Sequence, residues 1–567
     1  MFNLKTFLDS NLGKLFVYKK NKDYEFSLPI ACDFEEDSIV NNNVPYELEL
    51  DPSFKKVGTK LSDNLDYIKA KYHILINSDI QIKEFNILLE DKSYSAFIIY
   101  IDGMVNSEII NDFILRPLML RNKTNTHDRK KDKESKLSSF SLEDYIINCL
   151  IPQNRILKKE EFNDIILEVN GGNCALFIDT LGVAFTAEVK GFKQRSISTP
   201  SNEVVVRGSQ EAFVESIRTN TSILRRVINN EDLIIENSYV GKFSHTAVSI
   251  CYLKNITNND LVAEVQYRIN NLDIDYLISS GQLEQLIQDN SHSIFPQIVA
   301  TERVDKTASH LLEGRVVVLV NGTPYALVMP GVFNDFLSSS EDLNLKSQYS
   351  NLIRIIRILS AFLSVLLPGI YVAVTSYHHE LIPTQLLFAI AATRESVPFP
   401  IIIETLIMET AFELIREGGL RVPSPIGPTI GIVGALILGE AAVSANIVSP
   451  ILIIIVAITA LCSFTIPDLS LNFTFRILRF VYIFLGFTAG FLGLALGLFA
   501  QLVWLCNLTS FGSPYLTPYL SKATLRTTSS LFVAPAWKRE NKPTFLNSKK
   551  ADSQGKISMR WKYPKSH

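Results

Sequence analysis

The sequence predicts an α/β soluble half, made of two α/β subdomains, followed by an all-α multispanning membrane domain. Three observations carry this. Charge is concentrated in residues 1–350 of the 567, whereas 352–520 are dominated by Ile, Leu, Val, Phe, Ala and Gly. The mean hydropathy of +0.17 is therefore the average of two unlike halves. Strand-like and helix-like periods alternate through the first half, and long uncharged runs fill the second. Formal charge is −3, from 55 Lys+Arg and 58 Asp+Glu, so no global basic field points to nucleic acid. The six cysteines form no CxxC pair and no disulfide framework, and reduced thiols are expected.

Residues 1–60 are polar and aperiodic and read as an N-terminal extension. The first 30 residues hold no apolar run of signal-peptide length, so the soluble half is expected to stay cytoplasmic. A first α/β subdomain is expected at 61–120. LSDNLDYIKAKYHI has helical spacing, IKEFNILLE and YSAFIIYIDG read as strands, and SEIINDFILRPLML reads as a helix stopped near Pro117. A basic linker at 121–139 follows; its first sixteen residues hold seven basic and three acidic side chains. A second α/β subdomain is expected at 140–345. CALFIDTLGVAFTAEV reads as a hairpin, and SQEAFVESIRTNTSILRRVIN as a helix capped by Ser209. HTAVSICYL, GRVVVLVNG and YALVMP read as strands, and DLVAEVQYRINNL and SGQLEQLIQDN as helices. Alternation with short connections predicts a mixed or parallel sheet covered by helices.

The membrane domain is expected at 346–520, with four spans at 358–377, 427–446, 447–465 and 480–505. Twenty uncharged residues at ~1.5 Å each match a ~30 Å hydrocarbon core. Pro368-Gly369 predicts a kink in the first span. Gly486, Gly490, Gly493 and Gly497 in the last form two GxxxG patterns, which allow close helix packing in lipid. A basic tail at 521–567 carries eleven Lys/Arg and two Asp/Glu from residue 522 onward, and the positive-inside rule places it in the cytoplasm.

Residues 383–420 do not fit a simple crossing, because charged residues interrupt an apolar stretch. Pro398, Phe399 and Pro400 break the backbone, which survives at membrane depth only inside protein or against water. Beyond the break, Glu409, Glu413, Arg416 and Glu417 fall on one helical stripe about 100° wide. Ile403, Ile407, Met408, Ala411, Phe412, Leu414 and Ile415 face away, and Glu404 lies on the apolar side. Such a stripe calls for water, cations or partner cations. It reads either as an interfacial helix or as the lining of a cation pathway with acid rings formed by oligomerisation. Glu440, alone within an apolar run, adds weight to the second reading. No nucleotide loop, zinc spacing or nucleophile constellation is present. His378-His379-Glu380 reads as a solvated span end, and no enzyme activity, cofactor or metal site is expected.

The segments RESVPFPIIIETLIMETAFELIREGGLRVPSPIGPTIGIVGALILGEAAVSANIVSP (394–450), VVVRGSQEAFVESIRTNTSILRRVI (204–228), FPQIVATERVDKTASHLLEGRVVVLVNGTPYALVMP (295–330) and SFGSPYLTPYL (510–520) resemble the A subunits of bacterial spore germinant receptors (GerA type). The resemblance implies a subunit of a nutrient-sensing complex in the spore inner membrane. It implies a B subunit similar to amino-acid transporters, a C lipoprotein, and a homo-oligomer, a pentamer by family likeness, enclosing a nutrient-gated cation channel. Glu440 stands where the family carries a neutral amide. A non-conducting receptor scaffold, an accessory paralogue that amplifies germination signalling, and a secondary transporter are the competing readings. The last expects repeated membrane halves, which 352–520 lack.

Overall fold

The computed structural model describes residues 26–28, 56–89, 92–119, 143, 146–191, 200, 202–421, 439–517, 532–539 and 542–550. Most of the N-terminal extension, the basic linker, the first part of the 427–446 span and much of the tail lie outside the described residues.

The first unit runs through α1 (Leu61–Lys71), the hairpin β1 (Ile80–Leu89) and β2 (Lys92–Ile101), and a helical stretch α2. That stretch joins Ser107–Ile109, a π turn over Ile110–Leu115, and Arg116–Met119. β3 (Ile156–Lys159), α3 (Phe162–Asn170) and the hairpin β4 (Cys174–Ile178) and β5 (Ala184–Ala187) complete it, which corrects the expected boundary: the hairpin at 174–187 pairs with β2 in the first sheet rather than opening the second subdomain. Helical structure therefore continues past Pro117 rather than stopping there. The wider π turn just before it changes which carbonyl each N–H would meet, so the missing donor costs less.

The second unit runs through α4 (Ile217–Val227), β6 (Leu233–Val240), β7 (Thr246–Leu253), α5 (Asn259–Asn270), α6 (Ser280–Ile287), β8 (Val299–Thr301), α7 (Val304–Glu313), β9 (Val316–Val320) and β10 (Ala326–Met329). α4 starts at Ile217 rather than near Ser209; the Ser209 hydroxyl caps only a local turn, accepting from the Glu211 N–H.

Every described strand pair in both sheets is antiparallel, which corrects the expectation of a mixed or parallel sheet. The order is β1-β2-β4-β5-β3 in the first and β6-β7-β9-β10-β8 in the second, one topology used twice. Each sheet has helices on both faces, so its central strands are apolar throughout (β4 and β9 are buried along their whole length) and carry no polar alternation. A buried clamp joins the units: Asp79 accepts two hydrogen bonds from Arg225, each 2.8 Å. The thiols of Cys174, Cys251, Cys462 and Cys506 are free, and burial pushes Cys174 up to about 12.

After the short helices α8 (Phe333–Leu337) and α9 (Glu341–Asn344), the chain enters α10 (Ser347–Tyr377), which runs through Pro368. α11 (Thr384–Arg394), α12 (Ile401–Arg421), α13 (Pro450–Phe464) and α14 (Leu469–Asn507) follow. α10 and α14 are long and apolar enough to cross a membrane; α13 is apolar but shorter. The single span expected at 480–505 is instead part of a helical hairpin. Gly490 has φ 57° and ψ −138°, a conformation that disfavours any side chain. Beyond it the chain doubles back, bringing the Tyr482 hydroxyl within 2.5 Å of Gln501, a contact a straight helix cannot make. Both open ends of the hairpin return to the second unit. Thr474 bonds the Ile294 carbonyl, and Trp504 meets the Phe295 ring edge-on at 5.3 Å. The described tail also packs on that unit, Lys549 donating to the Ile256 carbonyl and Ser548 to that of Glu313.

Candidate functional site

α12 is set by its two ends. Residues 395–400, among them Pro398, Phe399 and Pro400, are irregular; these three are exposed, and α12 starts at Ile401. Its apolar face bears Ile403, Leu406, Ile407 and Leu414, all exposed, whereas Met408 is buried. Glu409 and Glu413 of its acidic stripe point into the chain, and Glu417 does not. This is the reverse of a stripe left open to solvent or to a neighbouring copy.

Glu409 is fully buried, and its Oε2 accepts from Arg479 Nη1 at 2.8 Å. Arg479, also buried, donates from Nε to the Ser364 carbonyl of α10 at 2.8 Å. Glu413 pairs with Arg476, and its Oε1 lies 3.9 Å from Arg479. α12 therefore runs antiparallel to the first arm of α14, with Glu409 opposite Arg479 and Glu413 opposite Arg476. Arg416 stacks its guanidinium 4.6 Å from the centre of the Phe464 ring. Glu417 is exposed, as is Glu440 in the helical turns at 439–444. Glu404, expected on the apolar side, is fully buried and accepts from the Ser449 N–H at 2.5 Å, with Arg394 at 3.6 Å. The reason is the partner: Arg394 and a helix N-terminus at Pro450 supply positive charge where the helical wheel shows only apolar neighbours.

The pairing is incomplete. Glu404 Oε2, Glu409 Oε1, Glu413 Oε1, Arg394 Nε, Arg416 Nη1 and Arg479 Nη2 are buried without a hydrogen-bond partner. Breaking one such pair by removing a single partner costs about 3–5 kcal/mol, because the other charge is stranded.

The glycine stripe has two tasks. Gly486 packs on the backbone of Gly369, where a Cβ would come within 2.5 Å of the Gly369 carbonyl oxygen. Gly493 and Gly497 face Leu485 and Tyr482 inside the hairpin, and Gly490 is its apex, against His378. A second charge centre lies where α9 meets α10. Asp342 accepts from Arg354 at 2.8 Å and Arg357 at 3.0 Å, all three buried. In the second unit, burial and Asp468 raise the carboxyl of Glu284 to about 7. Among the described residues no three His, Cys, Asp or Glu side chains converge as metal ligands. An open cavity of about 430 Å³ lies between the two units, lined by Asn106, Ser107, Ser216, Arg218 and Thr219 among others.

Sequence reasoning found the acids and missed Arg394, Arg476 and Arg479. The signal was available: Arg476 and Arg479 are three apart inside FRILRF and match carboxylates four apart on α12.

The chain matches the family described as Bacillus/Clostridium GerA spore germination protein over residues 66–545. It is 37% identical over 500 residues to spore germination protein KA of Bacillus subtilis (strain 168), covering 88% of this chain and 89% of that one. It is 35% identical over 474 residues to spore germination protein GerLA of Bacillus cereus, covering 84% and 90%. A solved structure, the N-terminal domain of the A subunit of the Bacillus megaterium spore germinant receptor GerK3, matches at 30% identity and a TM-score of 0.35, covering 50% of this chain and 98% of that one. With 480 residues inside the family's bounds, the chain belongs to the GerA family of spore germination proteins.

Proposed function

We propose that the chain is the A subunit of a nutrient germinant receptor in the spore inner membrane. It assembles with copies of itself, with a transporter-like B subunit and with a C lipoprotein, and the oligomer conducts cations when nutrient binds. The soluble units, the tail and the open ends of the α14 hairpin share one side, the cytoplasmic one. No catalytic chemistry is assigned to it. The observation that carries the reading is a set of carboxyl and guanidinium side chains held among apolar helices, a costly arrangement kept where ions pass or helices must register. Within one protomer Glu409 and Glu413 are engaged by arginines. In this reading Glu417 and Glu440, both exposed, face a shared conduit. Glu409, Glu413 and Arg416 fix the helix that presents them. The internal neutralisation of the stripe also supports the second reading, a non-conducting scaffold or accessory paralogue.

Reconstitution of the purified full chain in planar bilayers separates the two. Unitary cation currents that fall on Glu440→Gln support the channel. Silence from protein that assembles into rings supports the scaffold.

A further inference from the structure

The charge centre between α12 and α14 holds one guanidinium too many. Glu409 and Glu413 are taken by Arg479 and Arg476. Arg416, three residues beyond Glu413 on α12, makes no ion pair among the described residues. It stacks on the Phe464 ring, and its Nη1 is buried without a hydrogen-bond partner. Arg476 and Arg479 lie within electrostatic reach of it, as does Glu413, which Arg476 already engages. A guanidinium held beside two others among apolar helices calls for an anion that the protomer does not supply.

The level of Arg416 along the helices follows from its neighbours. Thr474 bonds the Ile294 carbonyl of the second unit, so Arg476, two residues on, sits where the first arm of α14 leaves that unit. Phe464 is the last residue of α13, just before the short connection to Asp468, which caps α14. Arg416, on Phe464, therefore lies at the same end of the helices. Arg476 in turn stacks on Phe473, 5.0 Å from the ring centre. The flanking surface is apolar: Leu461 and Phe464 of α13 and Phe473 and Ile477 of α14 are all exposed.

We propose that Arg416, with Arg476 beside it, binds the phosphate of an anionic phospholipid in the leaflet next to the soluble units, its acyl chains lying along α13 and α14. Guanidinium forks match phosphate oxygens bidentately, and basic pockets between helices near a membrane surface take up lipid headgroups. A free phosphate would satisfy the same forks and leave the apolar rim uncovered.

This inference rests on the reading that the helices lie in a bilayer, and not on conduction. Full-length protein in detergent, stripped of lipid, is titrated with phosphatidylglycerol or phosphatidylcholine, and bound lipid is counted by native mass spectrometry. Phosphatidylglycerol is expected to bind in preference, and Arg416→Gln to cut that preference about fivefold, the share of one basic side chain at an anionic surface. Arg416→Lys keeps the charge and should keep most of the preference; Arg116→Gln, on the surface of the first unit, should change nothing. Wild-type protein in vesicles of photoactivatable phosphatidylglycerol gives a readout that needs no substitution, with label expected in the peptides around 416, 464 and 476. Even labelling along all the helices, equal binding of the two lipids, or inorganic phosphate that competes as strongly as phosphatidylglycerol overturns the lipid site. An Arg416→Gln protein that loses self-assembly and keeps its lipid preference assigns the guanidinium to a neighbouring copy and overturns it too. Failure of the wild type to enter vesicles of either lipid refutes the bilayer reading instead.

Discussion

The two α/β units share a strand order and differ in what covers them. In the first, Phe97, Phe177 and Ile99 on one face pack under α1 and α3, and Ile98, Leu176 and Phe185 on the other under α2. Its cores end at its own boundary. In the second, Ile235, Cys251, Val317 and Leu319 belong to a cluster that continues through Phe295 into Phe475, Trp504, Tyr515 and Ala361. One topology has served as a separate lobe and as the foundation of the helical region. The lesson is mechanical. The first unit meets the second through polar contacts, among them Asp79–Arg225, Asp102–Arg218 and Lys71–Glu231, whereas the second shares an apolar core with α10 and α14.

The largest expected effect lies at the junction. Asp342→Ala strands two buried guanidinium groups, at a cost of about 3–5 kcal/mol or more, and full-length protein should vanish from the membrane fraction. Asp79→Ala strands Arg225 but spares the helices; limited proteolysis should release the first unit from protein that is still membrane-bound. Equal abundance for Asp342→Ala and wild type would break the contrast.

Matched core truncations sharpen it. Phe295→Ala and Phe177→Ala each remove a fully buried ring, at about 3 kcal/mol or more. Phe295→Ala alone should shift the emission of Trp504 to the red, since the two rings touch. A shift from Phe177→Ala would show that the first core also reaches the helices. A smaller effect, about 1–3 kcal/mol, is expected for Gly490→Ala, because only that residue turns the hairpin in a left-handed conformation.

The smallest effect is a pH dependence. The carboxyl of Glu284 is raised to about 7 in the fold, against about 4.3 in an unfolded chain. The folded state thus holds the proton more tightly. Its advantage is present at acid pH and is lost as pH rises through about 4.3 to 7. Glu284→Gln should match wild type in thermal melts at pH 4 and exceed it at pH 8. Parallel melting curves for the two proteins across that range would contradict this.

Local order was legible where side chains report their own neighbours. The hairpin β1–β2, the helix near residue 61 and the apolar run of α10 follow from period and length. Sheet direction was not legible, because buried central strands such as VVVLV look alike in parallel and antiparallel pairing. The hairpin in α14 hides in a run that reads as one span, since a glycine gives no sign of its φ. The acid stripe was legible as a stripe, and its inward direction was not. Helical period tells which residues share a face, while the identity of the facing helix depends on Arg476 and Arg479, more than sixty residues away.

A double-mutant cycle at the centre of the ladder tests this most directly. Glu409→Gln and Arg479→Met each strand a buried charge, and the double variant strands neither. The abundance and melting of the full chain should fall in both single variants and recover in the double, with a coupling of about 1–3 kcal/mol. Additive losses, or single variants that fold like wild type, would mean that the carboxylates do not face inward onto arginine.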